Sequence, residues 1–369
     1  PGGPGIFISQ LPGLGLNLRH RGQIPPGLLL FRHTQALILH PLRTLQHSAS
    51  AVAESRFDVS LPPPSQDELG DLSRAFLLMA KEIQSNTEEL ENKVIARTQA
   101  LEEANQAMQK AHRKIEASIE YASLIQSAIL PDQPLQQALG ERHFILWHPR
   151  DIVGGDFYVF RAEGKNHLLG VIDCAGHGVP GALMTMLARS ALDHAMNKVG
   201  IDSPATLLGE TDSAIRAMLA QDTSSHTIAT NMDAGLVYID HGNRRLRYAG
   251  ARISLYWSDG NDVGEIKGAR RALVDRRHCI YADTEIDLCP GITYYLATDG
   301  FLDQAGGERG YGFGNSRFAE LLRSNARRPM GEHASAFSQA LALYQGTYPQ
   351  RDDITVLSFR FDQKQAQHD

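Results

Sequence analysis

After Pro41, apolar residues recur at Leu42, Leu45, Ala49 and Val52, spaced 3-4-3, which is the seam of a coiled coil. The next stretch, "RFDVSLPPPSQ" (56–66), cannot be helical through its three prolines. Phe57, Val59 and Leu61 alternate within it, so it is expected to lie extended along the helices. "DELG" (67–70) then opens a second helix with acids suited to a helix N-terminus, and its seam is Leu69, Leu72, Phe76, Met79 and Ile83. The heptads run on through Thr87, Leu90, Val94, Arg97, Leu101, Ala104, Met108, Ala111, Ile115, Ser118, Ala122, Ile125 and Ile129. Two successive steps of four, Met79 to Ile83 to Thr87, form a stutter that locally unwinds a supercoil. Arg97, Ser118 and several alanines in the seam predict weak pairing that can change register. Pro131 and Pro134 in "AILPDQP" (128–134) stop this helix.

From about residue 141 the period changes. "HFILWHP", "DFYVF", "HLLGVIDC", "MDAGLVYID", "RLRYAGA", "ISLYW", "ITYYLATDG" and "ITVLSFRF" read as strands. "GALMTMLARSALDHAMNKV", "SPATLLGETDSAIRAMLA", "SRFAELLRSNA" and "HASAFSQALALYQGT" read as amphipathic helices. Strands in hairpin-like succession with helices between them predict an α+β domain of stacked antiparallel sheets flanked by helices.

Composition adds limits. The 369 residues suffice for two domains, and 42% apolar with 21% charged residues is globular. A net charge of −6 argues against nucleic acid as a partner. Cys174, Cys279 and Cys289 show no CxxC spacing, which fits a reducing compartment. There is no run of 18 apolar residues, no initiator Met and no signal peptide, so the chain as given is expected not to span a membrane. Residues 1–27 hold 12 Gly or Pro and read as a flexible leader. "GLLLFRHTQALILH" (27–40) is too short to span; it reads as the start of a helix, the alternative being a remnant beside a membrane segment.

The candidate chemistry sits where strands end in acids. Asp156 follows a glycine pair in "DIVGGDFYVF", Asp173 ends "LLGVID", Asp299 ends "YYLATDG", and Asp352 and Asp353 precede "ITVL". Any one of these fits an ordinary turn or cap. Four together, each with its own flanking pattern, fit poorly with that. Converging carboxylates repel unless protonated or neutralised by cations, and an all-oxygen set suits Mg²⁺ or Mn²⁺ over Zn²⁺.

Two resemblances follow from these residues. Pro41, the apolar connector and the D-E-x-G opening at 67–70 resemble the HAMP signalling module, whose members are parallel dimeric four-helix bundles just inside a membrane. "VGGDFY", "DCAGHGVPGALM", "YAGA", "LCPGITYYLATDG" and "RDDITVLSFRF" resemble, in order and spacing, the PPM metal-dependent serine/threonine phosphatases of the stage II sporulation and stress-response branch. "YASLIQSAILP" is similar to that branch's regulatory linker helix, and the whole layout resembles HAMP-linked members in surface-aggregation (biofilm) signalling. The expected domains are a leader or membrane-proximal remnant at 1–40, a HAMP-like module at 41–83, a coiled coil with regulatory linker at 84–130, and a phosphatase domain at 131–365.

The resemblance implies site roles. Asp156, Asp173, the Cys174 carbonyl, Asp299 and Asp352 match the ligands of two Mg²⁺ or Mn²⁺ ions, with Asp173 bridging both. Asp353 stands second to Asp352 for the last ligand. Asp156 and Asp173 also count as catalytic through the metals. His177 is either a general acid for the leaving oxygen or a structural histidine. Gly154, Gly155, Gly176 and Gly178 give the backbone room at the metals. Arg150 is a secondary phosphate-binding candidate, because eukaryotic relatives use an arginine near the first strand. Val159 replaces a frequent Asp, and "AGAR" (249–252) replaces a frequent "AGH", which bears on the substrate surface.

The implied activity is hydrolysis of phosphoserine or phosphothreonine on a small STAS-like (anti-sigma-antagonist-like) protein. The implied setting is a homodimer in the cytoplasmic part of a bacterial inner-membrane sensor, reached through an upstream segment. A catalytically weak scaffold of the same fold is the alternative. A diguanylate cyclase would need Glu where Phe157 stands, and a HAMP-linked histidine kinase needs a context that His112 lacks. The cysteine-phosphatase pattern C-x5-R is absent, since Pro180, Glu285 and Tyr295 occupy the sixth positions.

If the coil transmits a signal, its phase matters. One residue inserted near position 105 rotates the downstream helix by about 100°. Turnover is expected to change strongly; unchanged kinetics would reduce the coil to a spacer.

Overall fold

In the computed structural model, residues 26–219 and 230–361 are described, and they fall in two compact units, 1–109 and 110–369. Most of the expected leader, the last residue of the helix expected to end at 220, and positions 362–365 of the expected phosphatase domain lie outside the described residues.

In the first unit, α1 (Pro26–Thr34) passes through a π-turn at Gln35–Leu39 into α2 (His40–Ala53). Pro41 lies inside a helix that runs on from α1, directly after the π-turn in which the His40 N–H bonds the Gln35 carbonyl, and this widened turn accommodates its ring and missing N–H. Leu45, Ser48 and Val52 are buried on one face, and the Ser48 hydroxyl donates to the Ser60 carbonyl at 2.6 Å, pinning the extended connector. α3 (Glu68–Ala128) is one helix of 61 residues. Its opening turn explains the D-E-x-G text: Asp67 Oδ1 accepts the Gly70 N–H at 3.0 Å, and a Cβ on Gly70 would lie 1.9 Å from the Ser65 carbonyl oxygen. Among the described residues, no helix is long and apolar enough to cross a membrane.

The helix expected to stop at the prolines does end at Ala128, but the chain then re-enters helix at once as α4 (Asp132–Leu139). Pro134 lies in the first turn of α4, where its missing N–H is harmless, so it starts a helix rather than preventing one.

Ten strands build the second unit's two main sheets, all pairs antiparallel. In chain order they begin with β1 (His143–His148), β2 (Asp156–Glu163), β3 (Asn166–Cys174), then α5 (Gly178–Val199) and α6 (Pro204–Leu219). β4 (Met232–Asp240), β5 (Arg245–Ala251), β6 (Leu255–Ser258), β7 (Val263–Ile266), β8 (Thr284–Asp287) and β9 (Thr293–Ala297) follow. α7 (Asp299–Asp303), the short pair β10 (Ala305–Gly306) and β11 (Tyr311–Gly312), α8 (Gly314–Asn325), α9 (Met330–Gln345) and β12 (Ile354–Arg360) complete it. One sheet has the order β1-β12-β9-β6-β7 and the other β2-β3-β4-β5-β8.

Strand alternation then sorts side chains into layers. Along β2, Phe157 and Val159 pack with α5 and α6, whereas Tyr158 and Phe160 pack between the sheets against Tyr294, Leu357 and Phe359. Phe144, Tyr295 and Val356 face outward onto α8 and α9 through Phe318 and Phe337. The result is helix pair, sheet, sheet, helix pair, the expected α+β architecture.

Gly70→Ala is expected to cost the first unit about 1–3 kcal/mol through the clash at Ser65. It should appear as earlier loss of helical circular dichroism on heating. A superimposable melt would show that the Ser65 turn yields freely.

Candidate metal centre

The register of the second sheet places Asp156 of β2 directly opposite Asp173 of β3, and Asp173 directly opposite Asp233 of β4. Three carboxylates thus stand in one row across three strands, an arrangement that like-charge repulsion disfavours. Asp299, the first residue of α7, and Asp352, just before β12, complete the cluster from the other sheet.

Asp156 lies at its floor. It is buried, and its Oδ2 accepts hydrogen bonds from the hydroxyls of Thr298 (2.7 Å) and Thr355 (2.8 Å). Its Oδ1 is buried with no hydrogen-bond partner. Burial raises this carboxyl to about 8, against the two threonines, with Asp353 and Asp352 adding repulsion. Burial, then Asp156, Asp299, Asp233 and Asp352, push Asp173 well above the usual range. Asp299 is raised by burial and by Asp303 and Asp352, while a side-chain hydrogen bond from Asp173 eases it. Asp299 and Asp352 are exposed, so the cluster opens to solvent on their side.

The glycine pair is there for space. A Cβ on Gly154 would stand 2.7 Å from the Asp353 carboxylate, and one on Gly155 would stand 2.5 Å from the carbonyl oxygens of Cys174 and Gly176. Gly176 and Gly178 have φ of +94° and +64°, which glycine adopts freely. Asp353 braces this loop: it is buried and accepts the N–H of Arg150 (2.7 Å) and of Gly155 (2.5 Å). The Asp352 carboxylate accepts the Asp353 N–H at 2.9 Å, and its backbone carbonyl accepts the Gln350 amide at 2.8 Å.

The other candidates are placed as follows. The Cys174 carbonyl faces Gly155, and burial pushes its thiol well up, so the side chain is no nucleophile. His177 precedes α5 and is exposed, its Nδ1 2.8 Å from Asp151 Oδ2. Arg150 turns its Nη1 to the Arg351 carbonyl at 3.0 Å.

Two contributors escape the local pattern. Asp233 begins a strand in "NMDAGLVYID" and is raised by burial to about 6, against the pull of Arg252. Only strand register reveals that it adjoins Asp173. Gln126, in the last turns of α3, is fully buried. Its amide donates to the Gly154 carbonyl (2.6 Å) and to Thr185 (3.3 Å), and accepts the Gly154 N–H (3.1 Å). An amide in the otherwise apolar "LIQSAIL" was the available sign.

Among the described residues, no three acid, histidine or cysteine side chains already stand at metal-cage spacing. The donor chemistry nevertheless fits hard divalent cations: an unpartnered buried Asp156 oxygen, Asp173 directly opposite it, an exposed Asp352 and only oxygen donors.

Stacked antiparallel sheets between helix pairs, with acids at the strand ends, define a PP2C-type phosphatase, a metal-dependent class. The Stage II sporulation protein E (SpoIIE) pattern matches residues 163–362, and the HAMP domain pattern matches residues 36–85. The chain belongs to the SpoIIE family of phosphatases and carries a HAMP domain. It is similar to the solved SiaA-PP2C domain of Pseudomonas aeruginosa, with 62% identity and a TM-score of 0.65 over 68% of this chain and 99% of that one. The PP2C domain of SpoIIE from Bacillus subtilis, solved with a fragment of its regulatory domain, aligns at 16% identity and a TM-score of 0.49, over 60% of this chain and 63% of that one. RsbX in complex with magnesium aligns at 14% identity and a TM-score of 0.43, over 59% of this chain and 94% of that one. No curated protein matches the chain.

Linkage gives a pH test on metal-free protein. Asp156, Asp173, Asp299, Asp233 and Asp353 all have raised carboxyls, so the folded state holds their protons more tightly than the unfolded state. That contribution is complete below the ordinary carboxylate range and is lost as pH rises through the folded values, about 8 for Asp156. Burial holds His143, His167, His241 and His333 below 6.5, which acts the other way at lower pH. Between pH 6.5 and about 8 the melting temperature should therefore fall, and saturating Mn²⁺ should raise it again. A flat profile with no response to Mn²⁺ would count against a site built from facing acids.

Proposed function

We propose that the chain hydrolyses phosphoserine or phosphothreonine on a small STAS-like protein, with two Mg²⁺ or Mn²⁺ ions held by Asp156, Asp173, the Cys174 carbonyl, Asp299 and Asp352. The observation that carries this reading is the buried, unpartnered Oδ1 of Asp156 opposite Asp173. When bound, two such ions supply the acidity that makes water a nucleophile near neutral pH and offset charge on the phosphoryl oxygens. Thr298 and Thr355 fix the Asp156 carboxylate through Oδ2 and leave Oδ1 facing the cluster. Asp173, which stands between Asp156 and Asp233 in the register, would be the ligand common to both ions. Exposed Asp299 and Asp352 leave an open side for a side chain presented on a protein surface. His177, oriented by Asp151, is the candidate to protonate the leaving hydroxyl oxygen. No covalent intermediate is required, in keeping with the buried, protonated Cys174 thiol.

Regulation through a homodimeric HAMP module and coil belongs to the same proposal, as do an upstream membrane link and a role in biofilm signalling. Its support is the exposed apolar seam of α3, with Leu90, Val94, Leu101, Met108 and Ile115 uncovered in the single chain. Such a stripe fits a second copy of the same helix.

With Mn²⁺ supplied, Asp173→Ala is expected to keep less than a few per cent of turnover on a phosphoserine peptide. Asp352→Ala should lose activity with an unchanged melt. Asp353→Ala should instead lower stability by about 1–3 kcal/mol, because it strands two backbone N–H groups. The reverse pattern for the last two would move the final ligand to Asp353.

A further inference from the structure

Arg252 stands beside the acid row, and none of the roles above uses it. It follows β5 with φ of +65°, a left-handed conformation that residues bearing a Cβ rarely adopt. Its own N–H donates to the Ala269 carbonyl at 2.8 Å, and it forms a bridge with Ala234 of β4, so the backbone is held on both sides. A glycine would sit there without strain. Strain of this kind, held in place by its surroundings, collects at functional sites.

The side chain shows what the position serves. Arg252 is exposed, and its Nη1 meets Asp233 Oδ1 at 3.3 Å. Among the described residues it has no other side-chain hydrogen bond or ion pair. Asp233 stands opposite Asp173 in the register, so this contact sets the exposed guanidinium at the end of the acid row. A phosphate monoester presents three non-bridging oxygens to this opening, and a cation beside the acids would bind oxygens that metals held by Asp173, Asp299 and Asp352 would leave free. A guanidinium has the planar fork that matches two phosphate oxygens. Arg150 has its Nη1 committed to a backbone carbonyl.

We infer that Arg252 binds the phosphoryl group of the substrate, exchanging its single contact with Asp233 for two non-bridging phosphate oxygens. This rests on the phosphatase reading, and Asp233 then serves as the resting counter-ion.

The test compares the wild-type chain, Arg252→Gly and Arg252→Lys with Mn²⁺. The substrates are p-nitrophenyl phosphate and a phosphoserine peptide, with inorganic phosphate as inhibitor. Arg252→Gly should raise both KM and the phosphate inhibition constant about ten- to a hundredfold, the loss expected for a charged hydrogen-bonding pair. kcat should fall less than KM rises. Arg252→Lys should lie between. The glycine variant should melt no lower than wild type, since the strained conformation is relieved. The rise in melting temperature that phosphate gives the Mn²⁺-loaded wild type should vanish in Arg252→Gly. Unchanged KM and phosphate inhibition in the glycine variant would overturn the inference and leave the phosphatase reading intact. A wild type inactive on both substrates would overturn that reading instead; the phosphate-dependent melts would then decide Arg252, lost in the glycine variant if it binds phosphate and equal if it does not.

Discussion

The constraint on which this molecule depends is the repulsion within one row of a β-sheet. Asp156, Asp173 and Asp233 occupy adjacent strands at the same level, where their neighbours along each strand are apolar. Nothing in sheet formation favours that row. Two threonine hydroxyls from the opposite sheet hold Asp156, and the Arg252 guanidinium meets Asp233 at its exposed end. Each of these partners comes from a different element, so the row ties together the second sheet, the end of β5, the β9–α7 corner and β12.

The surrounding backbone follows from the same demand. The loop before β2 must pass between the Asp353 carboxylate and the carbonyls of Cys174 and Gly176, and two glycines are what fit. Asp353 ties the loop from the β12 side, and Gln126 ties it from the end of α3. The acids that repel are thus framed by groups that only accept or donate once the loop is in place. Stability and site geometry are hard to separate here, because removing a brace and moving a ligand are the same event.

Much of this was legible in the sequence, because strand ends are local. "VGGD", "LLGVID", "LATDG" and "RDDITVL" each show an acid at the close or start of an alternating run, and Thr298 and Thr355 lie next to them in the same text. The layered α+β fold follows from alternation alone. What escaped depends on pairing between distant segments. Asp233 reads as the polar first turn of a strand until register sets it beside Asp173. Gln126 reads as a polar seam neighbour until the Gly154 peptide is brought to it from 28 residues away. α4 was missed because Pro134 was taken as a stop, whereas a proline in a first turn is compatible with a helix. Arg252 was visible as an unusual residue, but its left-handed backbone was not.

The Gln126 amide has a consequence for how the domain opens. It occupies both polar groups of a single peptide unit, donating to the Gly154 carbonyl and accepting the Gly154 N–H, as a neighbouring strand would. In native-state hydrogen exchange, the Gly154 amide can then be released only when the final turns of α3 lift away. Its exchange is tied to the helix end and not to β2, although β2 begins only two residues later. The loop that leads into the first acid and the last turns of a 61-residue helix are therefore one cooperative opening unit, though α4 and β1 lie between them in the chain.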